Sequence, residues 1–177
     1  MTYPQTGGFT VGKQLNNGYA GNVSRSGVSI ITNRAVQSTD TAAIPFGSPV
    51  VLNSNNTYSL LGATGTFAEF AGVAIREVQQ ATTYFPASGG SYQPGQPCDV
   101  IELGSVTVVC QLGTPTAGGA VYIRTALNSS YPNAVVGGFE AQADGTNSFL
   151  VTNAKWTTGY VDANSIAELT LITRNQP

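Results

Sequence analysis

Short runs of alternating apolar and polar residues, separated by turn residues, recur from position 44 to the end of the chain. In "SVTVVC", Val106, Val108 and Cys110 fall on one face and Thr107, Val109 and Gln111 on the other, the period of two that a strand imposes. "AVYIRT" sets Val121 and Ile123 against Tyr122 and Arg124. "IAELTLIT" sets Ala167, Leu169 and Leu171 against Glu168, Thr170 and Ile172, so each of the three runs predicts a buried and a wetter face. The stretch "IPFGSPVVLNSNNTYSLLGATGTFAEFAGVAIREV" at 44–78 reads as strand, polar turn and strand, with a one- or two-turn helix at "TGTFAEFAG". "YQPGQP", "GTPTAGG", "YPN" and "ADGT" supply turns, and Asp144-Gly145 is the best tight-hairpin candidate.

Residues 1–40 follow another pattern. Gly7, Gly8, Gly12, Gly18, Gly21 and Gly27 interrupt every periodic run, and only "GVSIITNRAV" at 27–36 is strand-like. The prediction is an all-β fold, a small barrel or sandwich over 41–177, preceded by an extended Gly-rich N-terminal arm over 1–40.

Composition narrows the functions. Charged residues are 9% of the 177, against about 25% in an average soluble protein. The seven cations, Lys13, Arg25, Arg34, Arg76, Arg124, Lys155 and Arg174, are scattered singly, whereas nucleic acid and anionic membranes call for clusters, so neither is expected as a partner. A surface of Ser, Thr, Asn and Gln suits a protein covered by neighbours, or equally an extracellular β-domain. The N-terminus has neither the basic nor the apolar region of a signal peptide, which leads to an expectation of synthesis in the cytoplasm. In that compartment Cys98 and Cys110 are expected as buried thiols; a hairpin at Gly104-Ser105 is the arrangement that would let them pair.

Candidate chemistry is sparse. The chain has no histidine, which removes His-dependent nucleophilic catalysis and His-containing metal sites. There is no phosphate-binding loop or dinucleotide fingerprint, and two cysteines cannot make a zinc site unaided. Glu69, Glu77, Asp99, Glu102 and Glu140 are the carboxylates from which a glycosidase pair would be drawn, but no spacing favours any two. "DANS" at 162–165 reads as a turn rather than a calcium loop. No enzyme activity, cofactor or metal is expected.

In order along the chain, "GYAGNVSRSG", "IPFGSPVVL", "FAGVAIREV", "YQPGQPCDVIELGSVTVVC", "AGGAVYIRTA" and "GYVDANSIAELTLI" resemble the capsid cement, or head-decoration, proteins of tailed bacteriophages. The insert "TTYFPASGGS" at 82–91 and the segment 127–150 depart from that pattern. The resemblance implies a structural protein of the virion, made in the bacterial host and placed on the outer face of the head. There it would bridge major capsid protein subunits as a small oligomer, with a homotrimer favoured and a dimer the alternative. Arm residues Tyr3, Pro4, Phe9, Leu15 and Tyr19 are spaced as anchors, and Lys13, Arg25 and Arg34 could meet coat carboxylates. The alternative for this segment is packing against its own barrel. Arg76 and Arg124 read equally as residues of wet strand faces. The competing function is a tail-fibre or carbohydrate-binding β-module, with Tyr84, Phe85 and Tyr92 forming its aromatic groove.

Overall fold

The computed structural model describes residues 16–76 and 90–175. Its strands are β1 (Ile30–Ala35), β2 (Ile44–Pro45), β3 (Pro49–Leu52), β4 (Tyr58–Leu60), β5 (Phe70–Ala74), β6 (Ser91–Tyr92), β7 (Pro97–Leu112), β8 (Ala120–Arg124), β9 (Phe139–Glu140), β10 (Ser148–Trp156) and β11 (Ile166–Leu171). Two 3-10 turns, Phe67–Glu69 and Gly145–Asn147, are the helical elements among the described residues. The fold is all-β, as the alternation predicts. The short helix expected near "TGTFAEFAG" is the first of those turns, and Glu69 accepts a hydrogen bond from the Thr66 N–H at 3.0 Å.

The sixteen-residue β7 organises everything else. Its first half pairs antiparallel with β1 on one side, Thr32 opposite Val100, and with β5 on the other, Ala74 opposite Val100. Its second half pairs antiparallel with β11, Leu169 opposite Val106, and parallel with β9, Cys110 opposite Phe139. The pairs β9–β8, β8–β10 and β10–β11 then close a ring of five strands, the barrel. On the other half, β5, β3 and β4 continue the sheet, and a bridge between Val36 and Tyr58 turns it back towards the end of β1.

Two hydrophobic clusters fill these curves. The larger includes Ile101, Val106, Val108, Val121, Ile123, Trp156 and Leu169. The smaller includes Val36, Ile44, Val50, Tyr58, Tyr92, Cys98 and Val100. Ile101 and Val106 share a cluster although their numbers differ in parity, so the alternation is reset between them. Gly104, at φ +119°, lies at the reset, and a Cβ there would come within 3.1 Å of both the Ile101 Cδ1 and the Ser29 Cβ. Gly104-Ser105 is therefore the middle of a strand and not a hairpin turn. Cys98 and Cys110 end up in different clusters, both buried and both free thiols. Burial pushes the Cys98 thiol up to about 12 and the Cys110 thiol up to about 11.

Other expectations are corrected. Val121 and Ile123 face the core, but Arg124, read from its register as solvent-facing, is fully buried. Its Nε donates to Glu140 Oε1 at 2.5 Å, its Nη1 lies 2.8 Å from Asp144 Oδ2, and its guanidinium sits 5.9 Å from the Tyr131 ring centre. The 127–144 segment covers the outer face of β8 and turns a surface position into an interior one. Asp144-Gly145 leads into a 3-10 turn rather than a two-residue hairpin. Thr107 and Glu168, also on predicted wet faces, are buried because residues 17–25 lie across them. The polar turn at 53–57 is the β3–β4 hairpin, with Asn53 donating to Thr57 and Ser59.

Candidate functional site

Four of the motifs singled out in the sequence meet at one corner of the molecule. Tyr19, from "GYAG", and Phe46, from "IPFG", lie against Arg76, from "GVAIREV": the guanidinium carbon is 5.0 Å from the Tyr19 ring centre and 5.6 Å from that of Phe46. Phe46 in turn packs edge-on against Tyr92, from "YQPGQP", with centres 5.1 Å apart and planes at 82°. The Tyr92 hydroxyl donates to the Ile75 carbonyl. The result is a ladder of ring, cation, ring and ring, in which each cation–aromatic step contributes about 0.5–2 kcal/mol according to its desolvation.

Backbone contacts hold the ladder. Gly47 N–H donates to the Ala74 carbonyl at 2.8 Å, Arg76 N–H to the Gly21 carbonyl at 3.0 Å, and Gly21 N–H to the Thr107 carbonyl at 2.7 Å. Gly47 adopts φ +79°, and a Cβ on it would sit 2.7 Å from that of Ala20. Only glycine satisfies both demands, which explains why "GYAG" and "IPFG" carry glycines where they touch.

Beside the ladder, two shallow concavities of about 280 and 250 Å³ share Val109 as a common wall. Phe46, Leu60, Val135 and Phe139 line the first, Tyr19 and Ile166 the second. Tyr19, Val109 and Val135 are 43%, 44% and 59% exposed, so an apolar groove runs along this face without a cover among the described residues. Its far rim is fixed: the Gln111 amide donates to the Val135 carbonyl and accepts from the Val135 N–H, both at 2.8 Å. Sequence reading placed Val109 on the wet face but gave no hint of the groove, because its walls come from segments scattered from Tyr19 to Ile166.

The remaining predicted contact residues are dispersed. Tyr3, Pro4, Phe9, Lys13 and Leu15 lie outside the described residues. Arg25 donates to both oxygens of Glu168, at 2.6 and 2.9 Å, and Ser24 adds a third hydrogen bond at 2.8 Å. Burial by itself would raise the Glu168 carboxyl, but these hydrogen bonds and the Arg25 charge outweigh it and hold the group below its ordinary value. Arg34 donates to the Tyr58 hydroxyl at 3.3 Å and lies 5.6 Å from its ring centre. Both arginines thus engage their own domain, as does Tyr19 through the ladder. Of the aromatics expected to line a carbohydrate groove, Tyr92 is fully buried and Tyr84 and Phe85 lie outside the described residues.

The candidate carboxylates are likewise tied down. Glu140 holds Arg124, and Asp99 accepts from Asn33 at 2.7 Å. Glu102 accepts from Arg174, with the Tyr58 hydroxyl at 3.3 Å, while Glu77 lies outside the described residues. Asp162 accepts from the N–H groups of Asn164 and Ile166 and so shapes a turn, as "DANS" suggested. Among the described residues no group of three or more metal-ligating side chains gathers.

Comparison with known proteins agrees with this picture. No curated protein matches the chain. A solved structure described as "The capsid of Myoviridae Phage XM1" contains a chain that shares the fold at a TM-score of 0.65 and 17% identity, covering 94% of this chain and 97% of that one. The family model described as structural cement protein (E217 gp24/Pam3 gp6) matches residues 8–172. A match over nearly the whole length, through all the motifs that build the corner and the barrel, makes the chain a member of the phage structural cement protein family.

Proposed function

We propose that the protein attaches to the outer face of an expanded phage head and bridges neighbouring major capsid protein subunits, stabilising the shell. The observation that carries this reading is the family match over residues 8–172. The charge-poor composition supports it, since a surface meant to be covered by neighbours needs few charges. Bridging several coat subunits lets contacts of modest area act together, so that attachment is tighter than any one of them provides. A homotrimer is the assembly favoured here, with synthesis in the host cytoplasm and addition to the head afterwards.

The test is reconstitution. Purified protein added to expanded heads that lack it should co-sediment in a fixed ratio to coat protein, appear on the outer surface by electron cryomicroscopy, and raise the temperature at which heads rupture. Failure to sediment with heads, or density on the inner surface, would overturn the proposal.

A further inference from the structure

The groove beside the aromatic ladder combines two features that do not compensate each other among the described residues. Tyr19, Val109 and Val135 leave apolar surface in water, on a face whose rim is fixed by the Gln111–Val135 hydrogen bonds. At the same edge stands Arg76, only partly exposed and held over two rings. Arg25, Arg124 and Arg174 each meet a carboxylate, whereas Arg76 meets none among the described residues. A guanidinium held over rings still has N–H donors to offer, and their fork matches a carboxylate.

We infer that this groove is a docking surface for a coat-protein segment that presents apolar side chains next to a carboxylate. The inference rests on the proposed attachment to the head and names the contact through which it occurs. Apolar side chains fill the space around Val109 and Val135, and the carboxylate pairs with Arg76. The charge requirement selects the occupant, because an apolar segment alone would leave the cation desolvated and unpaired. The arrangement is preorganised: the ladder fixes the Arg76 side chain before the partner arrives, which lowers the entropic cost of the ion pair.

The experiment measures binding of the full-length protein to expanded, cement-free heads as a function of salt. V109D and V135D should each weaken binding at least tenfold. R76Q should weaken it about tenfold and flatten its salt dependence, while R76K, which keeps the charge but not the stacked fork, should weaken it by several-fold and retain most of the salt dependence. L150D and I172D, at exposed apolar positions that do not line the groove, should bind like wild type. Wild-type protein that does not bind heads at all would remove the attachment proposal and this inference together. Wild-type binding with undiminished binding by V109D, V135D and R76Q would overturn this inference alone. Two measurements on the free protein decide the other occupants. A fall in melting temperature for V109D and V135D would mean that the groove is filled by the chain itself, and a change in oligomer mass would mean that it is filled by a second copy. Either result overturns the assignment.

Discussion

The two halves of β7 serve regions that solve the same packing problem differently. The closed barrel around its second half seals itself: five strands leave no free pairing edge within the ring, and its fully buried charges, Arg124 and Glu140, pair with each other, with Asp144 beside Arg124. Among the described residues, the sheet around its first half closes through the Val36–Tyr58 bridge and ends in the corner of Tyr19, Phe46 and Arg76, where apolar and cationic groups stay uncovered. Among the described residues, one region is covered by the chain and the other is not. The proposed attachment calls for both, a part that holds its shape and a part that offers surface to a partner.

Breaking the sealed half should have the largest effect. R124M leaves Glu140 buried without its cation and is expected to cost about 3–5 kcal/mol, read as a lowered melting temperature. The double variant R124M/E140L should recover most of that loss; if it does not, the pair does more than neutralise itself. In the open half, G47A places a side chain where φ is +79° and Ala20 already stands, at an expected cost of about 2 kcal/mol in urea unfolding. The effect should leave the barrel cluster intact by near-ultraviolet Trp156 signals at denaturant levels where the corner has opened.

A smaller effect is expected at the clamp that ties residues 24 and 25 to the barrel. Glu168 and Asp144 are both held below their ordinary carboxyl values of 4.5 and 3.8, Asp144 mainly by the Asn128 side chain and then by Arg124. Groups depressed in the folded state contribute stability above their unfolded values and lose it as pH falls through the folded ones. Stability should therefore be level above pH 5 and decline as pH drops below about 4.5. R25Q should lower the plateau by about 1 kcal/mol and make that acid decline shallower, as chemical denaturation at several pH values would show. Smallest of all is a kinetic difference between the thiols. Each cluster contains one cysteine, so C98A and C110A variants report the opening of one region apiece. The remaining thiol in C110A, Cys98, should label faster than Cys110 in C98A, because the smaller cluster opens at lower free energy. Equal rates would mean that the halves open as one unit.

Much of this contrast was legible in the sequence. The inward positions of β7, β8 and β11 were given by alternation, since a core selects Val, Ile and Leu at every second residue. The outward positions were misread where something lies on top of them. Arg124, Thr107 and Glu168 have the register of surface residues and the burial of interior ones, because chain distant in sequence covers them. Nothing local marks such a cover: Arg124 and Glu140 are sixteen residues apart, with no periodic relation. Gly104 has the backbone freedom that a hairpin turn would need, and the fold uses it instead to reset a continuous strand. The corner was visible only as separate motifs. Their glycines mark where the motifs touch, but which of them touch is a property of the tertiary structure.

The length of β7 has a mechanical meaning as well. Sixteen residues at about 3.3 Å each give this strut a contour length of roughly 53 Å, clasped by different neighbours at its two ends. Tension between the halves runs along that strut. It loads the ladders of β1 and β5 at one end, and of β11 at the other, in shear, where many hydrogen bonds must yield together instead of peeling in turn. The joint between the part that keeps its shape and the part that offers a surface is thus the strand best placed to resist being pulled apart.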